Sequence, residues 1–318
     1  MVRPKIAEPS RYQSPSELIM DPAWPGRTVA DDWQVLRSID EVEANVNYQT
    51  VLLDIPIGFN VAGSREVRAW INTDRENRTS SSASNRLKTC VRYGYIWVSL
   101  GNPMHDFFEI PEYHEPDRRN IHAATIRIKV SAPRAIENFL DLAHFPFVHP
   151  GSLGEEPYTE IKDYDVAVLE ESNEVLAQKC RVWQPISMPT ATEGYEVEYI
   201  YRVPHPYCAI LYKANAADMN RMDVIALFIQ PVGEEESNAN MLLSVIDDQN
   251  TNTEIRSFQQ MIFGQDKPIL ENQVPKRLPL DLRTEMSVRC DASSAAYRRW
   301  LHKRDVRFGT IPVDQEES

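Results

Sequence analysis

The feature that most limits how this chain can fold is a long series of strand-like runs. It is interrupted once by a proline-bounded helical segment. Residues Ala124-Thr125-Ile126-Arg127-Ile128-Lys129-Val130 alternate with period two, as a strand with one buried face does. Residues 165–169, 175–183, 195–203, 209–213, 224–231 and 241–246 read as further strands. Helical patterning is confined to three stretches. One covers 133–145, with Pro133 suited to a first turn and Pro146 and Pro150 as stops; the others cover 253–273 and 293–303. This order predicts an α+β fold, a broad antiparallel sheet with helices packed on it.

The chain has 318 residues, enough for two domains. Pro4, Pro9, Pro15, Pro22, Pro25 and Gly26 argue for an irregular extension over 1–30. Residues 31–118 predict a smaller β domain, with strands at 51–55, 67–71 and 95–100. The polar stretch 72–85, which includes Thr79-Ser80-Ser81-Ser82-Ala83-Ser84, reads as a solvated loop. Residues 119–318 form the second domain, and no internal repeat is evident.

Acids outnumber bases 47 to 34, giving a net charge of −13, the wrong sign for nucleic-acid binding. No run of about 18 apolar residues is present, so no membrane span is expected. Without an apolar leader after Met1, secretion is not expected either. Cys90, Cys180, Cys208 and Cys290 form no CxxC or CxH pair. They argue against a disulfide framework or structural zinc and for free thiols in a reducing cytoplasm.

The chemistry concentrates in residues 137–150. His144 and His149 lie five apart, and Asp141 precedes the first by three. On a continuous helix Asp141 and His144 would share a face. A break near Pro146 would let His149 turn back toward His144. Neutral imidazoles are common transition-metal ligands, and a carboxylate beside one can fix its tautomer. The spacing alone is equally compatible with two ordinary histidines in a phenylalanine-rich core segment.

A second segment, residues 263–273, narrows the choice. Together the two resemble the catalytic subunits of Rieske non-heme iron oxygenases. That family's motif N-x-x-D-x-x-H-x-x-x-x-H is matched by Asn138, Asp141, His144 and His149. Its downstream segment, E-D-x-x-x-x-E-x-Q, is matched by Asp266, Glu271 and Gln273, with Gln265 replacing the usual acid. The resemblance implies that His144, His149 and Asp266 hold a mononuclear Fe(II) as a facial triad. Asp247 or Asp248 is the competing third ligand. The resemblance also implies a helix-grip catalytic domain. Asp141 would be the electron-transfer bridge, and Asn138, Phe139, Leu142, Phe145 and Leu153 would face the substrate pocket.

The likeness extends upstream. Asp32-Trp33 and Val67-Arg68-Ala69-Trp70 look like the start of the family's Rieske domain, and residues 87–101 look like its end. The family's cluster needs C-x-H and C-x-x-H, and between Trp70 and Leu87 there is neither cysteine nor histidine. Residues 31–118 are therefore expected to be a degenerate Rieske-like domain with no [2Fe–2S] cluster and no iron–sulfur ligands. Electrons would come indirectly from NAD(P)H, through a separate reductase that carries a Rieske centre.

Segments 137–153 and 263–275 look closest to purine-alkaloid N-demethylases. These include subunits acting at the N7-methyl of methylxanthines that lack a Rieske domain of their own. The expected activity is O2-dependent N-demethylation of a methylated purine with release of formaldehyde, in the cytoplasm and by an oligomer. Partners would be a small aromatic substrate, O2, the reductase and an accessory subunit, with no nucleic acid and no membrane. The alternatives are an aromatic O-demethylase or hydroxylase of the same family, or a non-catalytic structural subunit or ligand-binding module.

Overall fold

The computed structural model describes residues 15–63, 66–72, 86–103, 106–186, 193–215, 218 and 220–313. Residues 1–14 of the extension and 73–85 of the polar loop lie outside them. The chain forms two compact units, Met1–Asp106 and Phe107–Ser318.

Among the described residues the first unit carries α1 (Pro15–Met20) and six strands: β1 (Gln34–Ser38), β2 (Tyr48–Leu52), β3 (Ile55–Val61), β4 (Val67–Ile71), β5 (Lys88–Arg92) and β6 (Tyr95–Ser99). They pair as two three-stranded antiparallel sheets, β1-β6-β5 and β2-β3-β4. The stretch 51–55, read from sequence as one strand, is a hairpin corner. Leu53 (φ 52°) and Asp54 (φ 65°) turn the chain between β2 and β3. Two-residue corners with both φ values positive match strand twist and usually advertise themselves as Asn-Gly. Here a fully buried leucine stands in that place, so packing rather than turn chemistry holds the corner. Gly58 faces Trp70 across the ladder, and a Cβ there would lie 2.4 Å from the indole. A larger residue would push the indole off its strand.

The second unit opens with β7 (Arg119–Ile128), then α2 (Ala132–Leu140) and α3 (Phe145–Val148). The strands β8 (Asp165–Val168), β9 (Val175–Gln184), β10 (Tyr195–His205), β11 (Cys208–Ala214), β12 (Met222–Gly233) and β13 (Glu236–Val245) follow. The chain then forms α4 (Asn252–Asn272), β14 (Leu278–Pro279), α5 (Ala292–Lys303) and β15 (Thr310–Ile311). This is the expected α+β arrangement. Seven antiparallel strands run in the order β7-β13-β12-β11-β10-β9-β8. Strands β8 to β13 are a simple meander, and β7 closes against its last member. The chain must therefore travel from one sheet edge at β7 to the other at β8, and α2 lies along that route, packed on β11, β12 and β13. The crossing sets the motif segment over the middle of the sheet.

Helix α4 packs along β7. Arg256 Nε and Gln260 Nε2 donate to the His122 and Ala123 carbonyls at 2.9 and 2.7 Å, and Lys267 Nζ reaches Arg127 O at 2.7 Å. Its start is a capping box: the Thr251 hydroxyl accepts from Glu254 N, and the Glu254 carboxylate accepts from Thr251 N at 2.7 Å.

A buried ionic cluster joins α2 to α5. The Glu137 carboxylate accepts from Arg134 Nη1 (3.0 Å) and Arg298 Nη2 (2.9 Å), and Glu285 accepts from both arginines. Burial pushes the Glu137 carboxyl up, against the pull of Arg298 and Arg134. Removing one member leaves opposite charges stranded in a dry place, which typically costs about 3–5 kcal/mol. Glu137→Ala should therefore lower unfolding stability by about that much. Glu236→Ala breaks a pair with Arg127, whose side chain is 70% exposed, and should cost less than about 1 kcal/mol. Denaturant midpoints of the two variants check this; equal losses would mean that the cluster is not a structural tie.

Candidate metal centre

Helix α2 is capped by Ser131, whose hydroxyl accepts from Arg134 N at 3.3 Å. It ends at Leu140 rather than running to 145, because Asp141 is extended (φ −82°, ψ 120°). Asp141 Oδ1 accepts from Ala143 N at 2.8 Å, and a side chain that satisfies the backbone in this way competes with helix continuation. Pro146, expected to stop a helix, instead sits in the first turn of α3, where its missing N–H costs nothing. Asp141 and His144 thus share no helix face. They meet because the chain turns between them, with His144 Nδ1 3.2 Å from Asp141 Oδ2.

His149 ends α3 and is almost completely buried. The loop beyond it folds back so closely that a Cβ on Gly154 would lie 2.6 Å from Pro146 N. Asp266 comes from α4, on the buried face that also carries Ile262, Phe263 and Leu270.

The three side chains converge. His144 Nε2 and His149 Nε2 are 3.2 Å apart, and Asp266 Oδ1 lies 3.3 and 3.1 Å from them. They are the group of His, Cys, Asp and Glu side chains among the described residues whose geometry could hold an ion. Both rings turn Nδ1 outward: His144 toward Asp141, and His149 toward Gln265 Oε1 at 2.8 Å. Neutral rings that donate through Nδ1 have only lone pairs at Nε2. Asp266 Oδ1 is buried, and neither approach to it has hydrogen-bond geometry. With both rings neutral, three acceptor atoms face one point. Their spacing matches adjacent corners of a coordination shell with metal–ligand distances of about 2.0–2.2 Å. Two imidazoles and one carboxylate, with outer partners fixing the rings, are a donor set for Fe(II).

The electrostatics agree. Burial works against a charged His144, yet the carboxylates of Asp141 and Asp266 carry it up to about 9. Burial likewise opposes a charged Asp266, but the two imidazoles hold its carboxyl down to about 2. Both shifts put positive charge at the centre of the cluster: a proton on His144 when no cation is bound, and a metal ion in that proton's place when one is.

Gln265, in sequence a departure from the family's acid, is the outer partner of His149; its value came from a contact 116 residues away in sequence. Glu271 instead ties α4 to the sheet, accepting from Lys129 N at 3.0 Å. Gln273 lies at the C-terminus of α4. Asp247, the competing ligand, is engaged in its own loop, accepting from Gln249 N and Asn250 N at 2.9 and 2.8 Å. Asp248 does not join the three.

A cavity of about 80 Å³ adjoins the three residues, between α2, α4 and the sheet face. Asn138, Phe139, Phe145 and Leu153 line it. Leu142 is buried but is not part of its wall. The sheet supplies wall residues that no motif indicated: Tyr199, Tyr201, Leu211, Lys213, Ile225 and Met241. Their alternation along paired strands is the only sequence signal they leave. Phe139 meets Tyr201 edge-on (5.8 Å between centroids), as Phe145 meets Tyr199 (6.0 Å). A larger cavity of about 300 Å³ lies at the other side of α2, lined by Asp141, Asn138 and the charged Arg134, Glu137, Glu285 and Arg298. Asp141 is thus at once against His144 and, with its side chain 32% exposed, on a solvent-facing hollow.

Residues 128–305 match the family described as Vanillate O-demethylase oxygenase C-terminal domain. The probable methylxanthine N7-demethylase NdmC of Pseudomonas sp. (strain TJI-51) is 45% identical over 282 residues, spanning 89% of this chain and 96% of that protein. The methylxanthine N3-demethylase NdmB of Pseudomonas putida is 30% identical over 67% of this chain and 58% of its own length. In fold, the chain is similar to the structure of Pseudomonas putida CBB5 NdmA with caffeine, with a TM-score of 0.69 and 18% identity over 92% of this chain and 99% of that one. No helix among the described residues is long and apolar enough to cross a membrane. The chain belongs to the catalytic subunits of the Rieske non-heme iron oxygenases, oxidoreductases built around a mononuclear iron, in the branch that holds the vanillate and methylxanthine demethylases.

Proposed function

We propose that this chain removes the N7-methyl group of a methylxanthine, using O2 and a mononuclear Fe(II) held by His144, His149 and Asp266. The observation that carries the substrate is the 45% identity, over nearly the whole of both chains, to a probable methylxanthine N7-demethylase. An iron(II) ion held by His144, His149 and Asp266 would supply the activation of O2 by which one oxygen atom enters a methyl C–H bond. The balance is R–N–CH3 + O2 + two electrons + two protons giving R–N–CH2OH and water. The hemiaminal then passes its hydroxyl proton to the ring nitrogen, breaks its C–N bond and releases formaldehyde.

The chain's own residues do the positioning. Asp141 and Gln265 hold the imidazoles so that Nε2 of each faces inward. The aromatic edges of Phe139, Phe145, Tyr199 and Tyr201 give a flat heterocycle an apolar slot and keep water out. Asn138 borders both the cavity and the hollow behind it.

The electrons come from a separate NAD(P)H-fed reductase with a Rieske cluster, in the cytoplasm. The sequence carries no C-x-H and C-x-x-H pair, which supports reading residues 31–118 as a degenerate Rieske-like domain ahead of a catalytic domain over 119–318. Asp141 is the bridge through which the partner's cluster reaches His144. Its place on the larger hollow, beside the exposed apolar Val274 (90%) and Met286 (93%), supports a partner seated there. The vanillate O-demethylase match favours, as a second reading, an aryl methyl ether in place of the N-methyl group.

Four results are expected. Formaldehyde should form from N7-methylated xanthines in the presence of a Rieske-containing reductase. Formation from vanillate alone would select the second reading, and formation with a reductase lacking a Rieske centre would remove the bridge. Ala at His144, His149 or Asp266 should abolish iron retention in metal analysis with the fold intact, and Asp247→Ala should retain it. Gln265→Leu should weaken iron binding by about 10- to 100-fold. Asp141→Asn should keep iron and respond to hydrogen peroxide, which supplies oxygen and electrons together. Its reductase-driven turnover should be severely slowed. Equal loss by both routes would make Asp141 only a support for His144.

A further inference from the structure

One charged side chain in the cavity wall belongs neither to the iron site nor to its outer partners. Lys213 lies on β11, whose seven residues are all buried, and is itself 8% exposed. Register fixes its face. It stands opposite Tyr199 on β10 and Asp223 on β12, and the next pairs on the same face are Leu211 with Tyr201 and Leu211 with Ile225. Tyr199, Tyr201, Leu211 and Ile225 all line the cavity, and Lys213 lines it with them. Among the described wall residues outside the iron trio it is the one that carries a charge.

A buried ammonium is expensive unless something compensates it. Asp223 is its counter-charge on the neighbouring strand, and that carboxylate also accepts from Asn215 Nδ2 (3.0 Å) and Ile246 N (2.8 Å). Burial brings the Lys213 ammonium down to about 8, with Asp223 opposing the shift. The side chain therefore stays largely a cation at neutral pH. An ammonium offers three donors and no acceptor. The remaining wall is aromatic and aliphatic, with the amides of Asn138 and Gln259. Such a wall suits a flat ring whose edge carries acceptors.

We propose that Lys213 is a specificity-determining residue, donating a hydrogen bond to an exocyclic carbonyl oxygen of the purine-dione and so selecting oxo-purines over purines without that oxygen. The inference rests on the methylxanthine reading and adds the group that recognises the ring. A hydrogen bond from a charged donor in such a place corresponds to about 10- to 100-fold in affinity.

The test is calorimetric titration of the full chain with 7-methylxanthine and with 7-methylpurine, which keeps the N7-methyl group and lacks both carbonyls. The wild type should bind the dione about 10- to 100-fold more tightly. Lys213→Met should weaken only the dione and close the gap; Lys213→Arg, which keeps the cation, should preserve part of it. Equal binding of the two ligands by the wild type overturns the proposal, whether or not the Met variant folds. So does a Lys213→Met protein that keeps the preference or loses both ligands alike. Binding of neither purine by wild-type protein removes the methylxanthine reading itself, and the lysine's role with it. Retained formaldehyde release with an unchanged preference in Lys213→Met overturns the lysine alone.

Discussion

Everything in the second unit serves one awkward contact: three hydrogen-bond acceptors aimed at a single point, 3.1–3.3 Å from one another. Left to themselves, two imidazole nitrogens and a carboxylate oxygen would not be buried face to face. The fold makes them do so by fixing what lies behind each ring. Asp141 and Gln265 accept hydrogen bonds from Nδ1, so in the neutral rings the inward nitrogens have no proton to share. A cation is the natural completion, and the protein is arranged so that little else is.

That arrangement draws on elements far apart in sequence. The α2–α3 segment crosses the sheet because β7 and β8 lie at opposite edges. Helix α4 returns along β7 and brings Asp266 beneath the crossing. The break at Asp141 is what allows the two meet. A continuous helix to residue 145 would carry His144 round by four more residues' rotation and leave His149 too far along the axis. The residue that breaks the helix also orients the ring, so one aspartate sets both the backbone and the chemistry.

The sheet of the second unit was legible because its strands alternate cleanly. The strand edges were not. Residues 236–240 of β13 leave no strand signal in the sequence because Ser237 and Asn240 are polar yet fully buried, satisfied by Val130 O and by Phe228 O and Thr125. The hairpin at Leu53-Asp54 was hidden because it lacks a glycine. The iron trio was readable because its spacing is a motif, and the outer partner Gln265 was not, since its meaning is a contact with a residue 116 positions away. The cavity wall was half readable. Residues near the motif could be named, but Tyr199, Lys213 and Met241 depend on strand register, which one sequence does not disclose.

The glutamine at 265 also sets an electrical balance. Once a metal has displaced the proton of His144, Asp141 and Asp266 would each bring one negative charge to the cluster, while the two imidazoles and the Gln265 amide would bring none. Two negative charges cancel a dication and leave a trication in excess by one. In a buried site, where uncompensated charge is costly, such surroundings would favour the divalent state. An acid at 265 would add a third negative charge and tilt that preference toward the oxidised ion. By its neutrality, this side chain would favour the lower oxidation state of a metal that it does not itself touch.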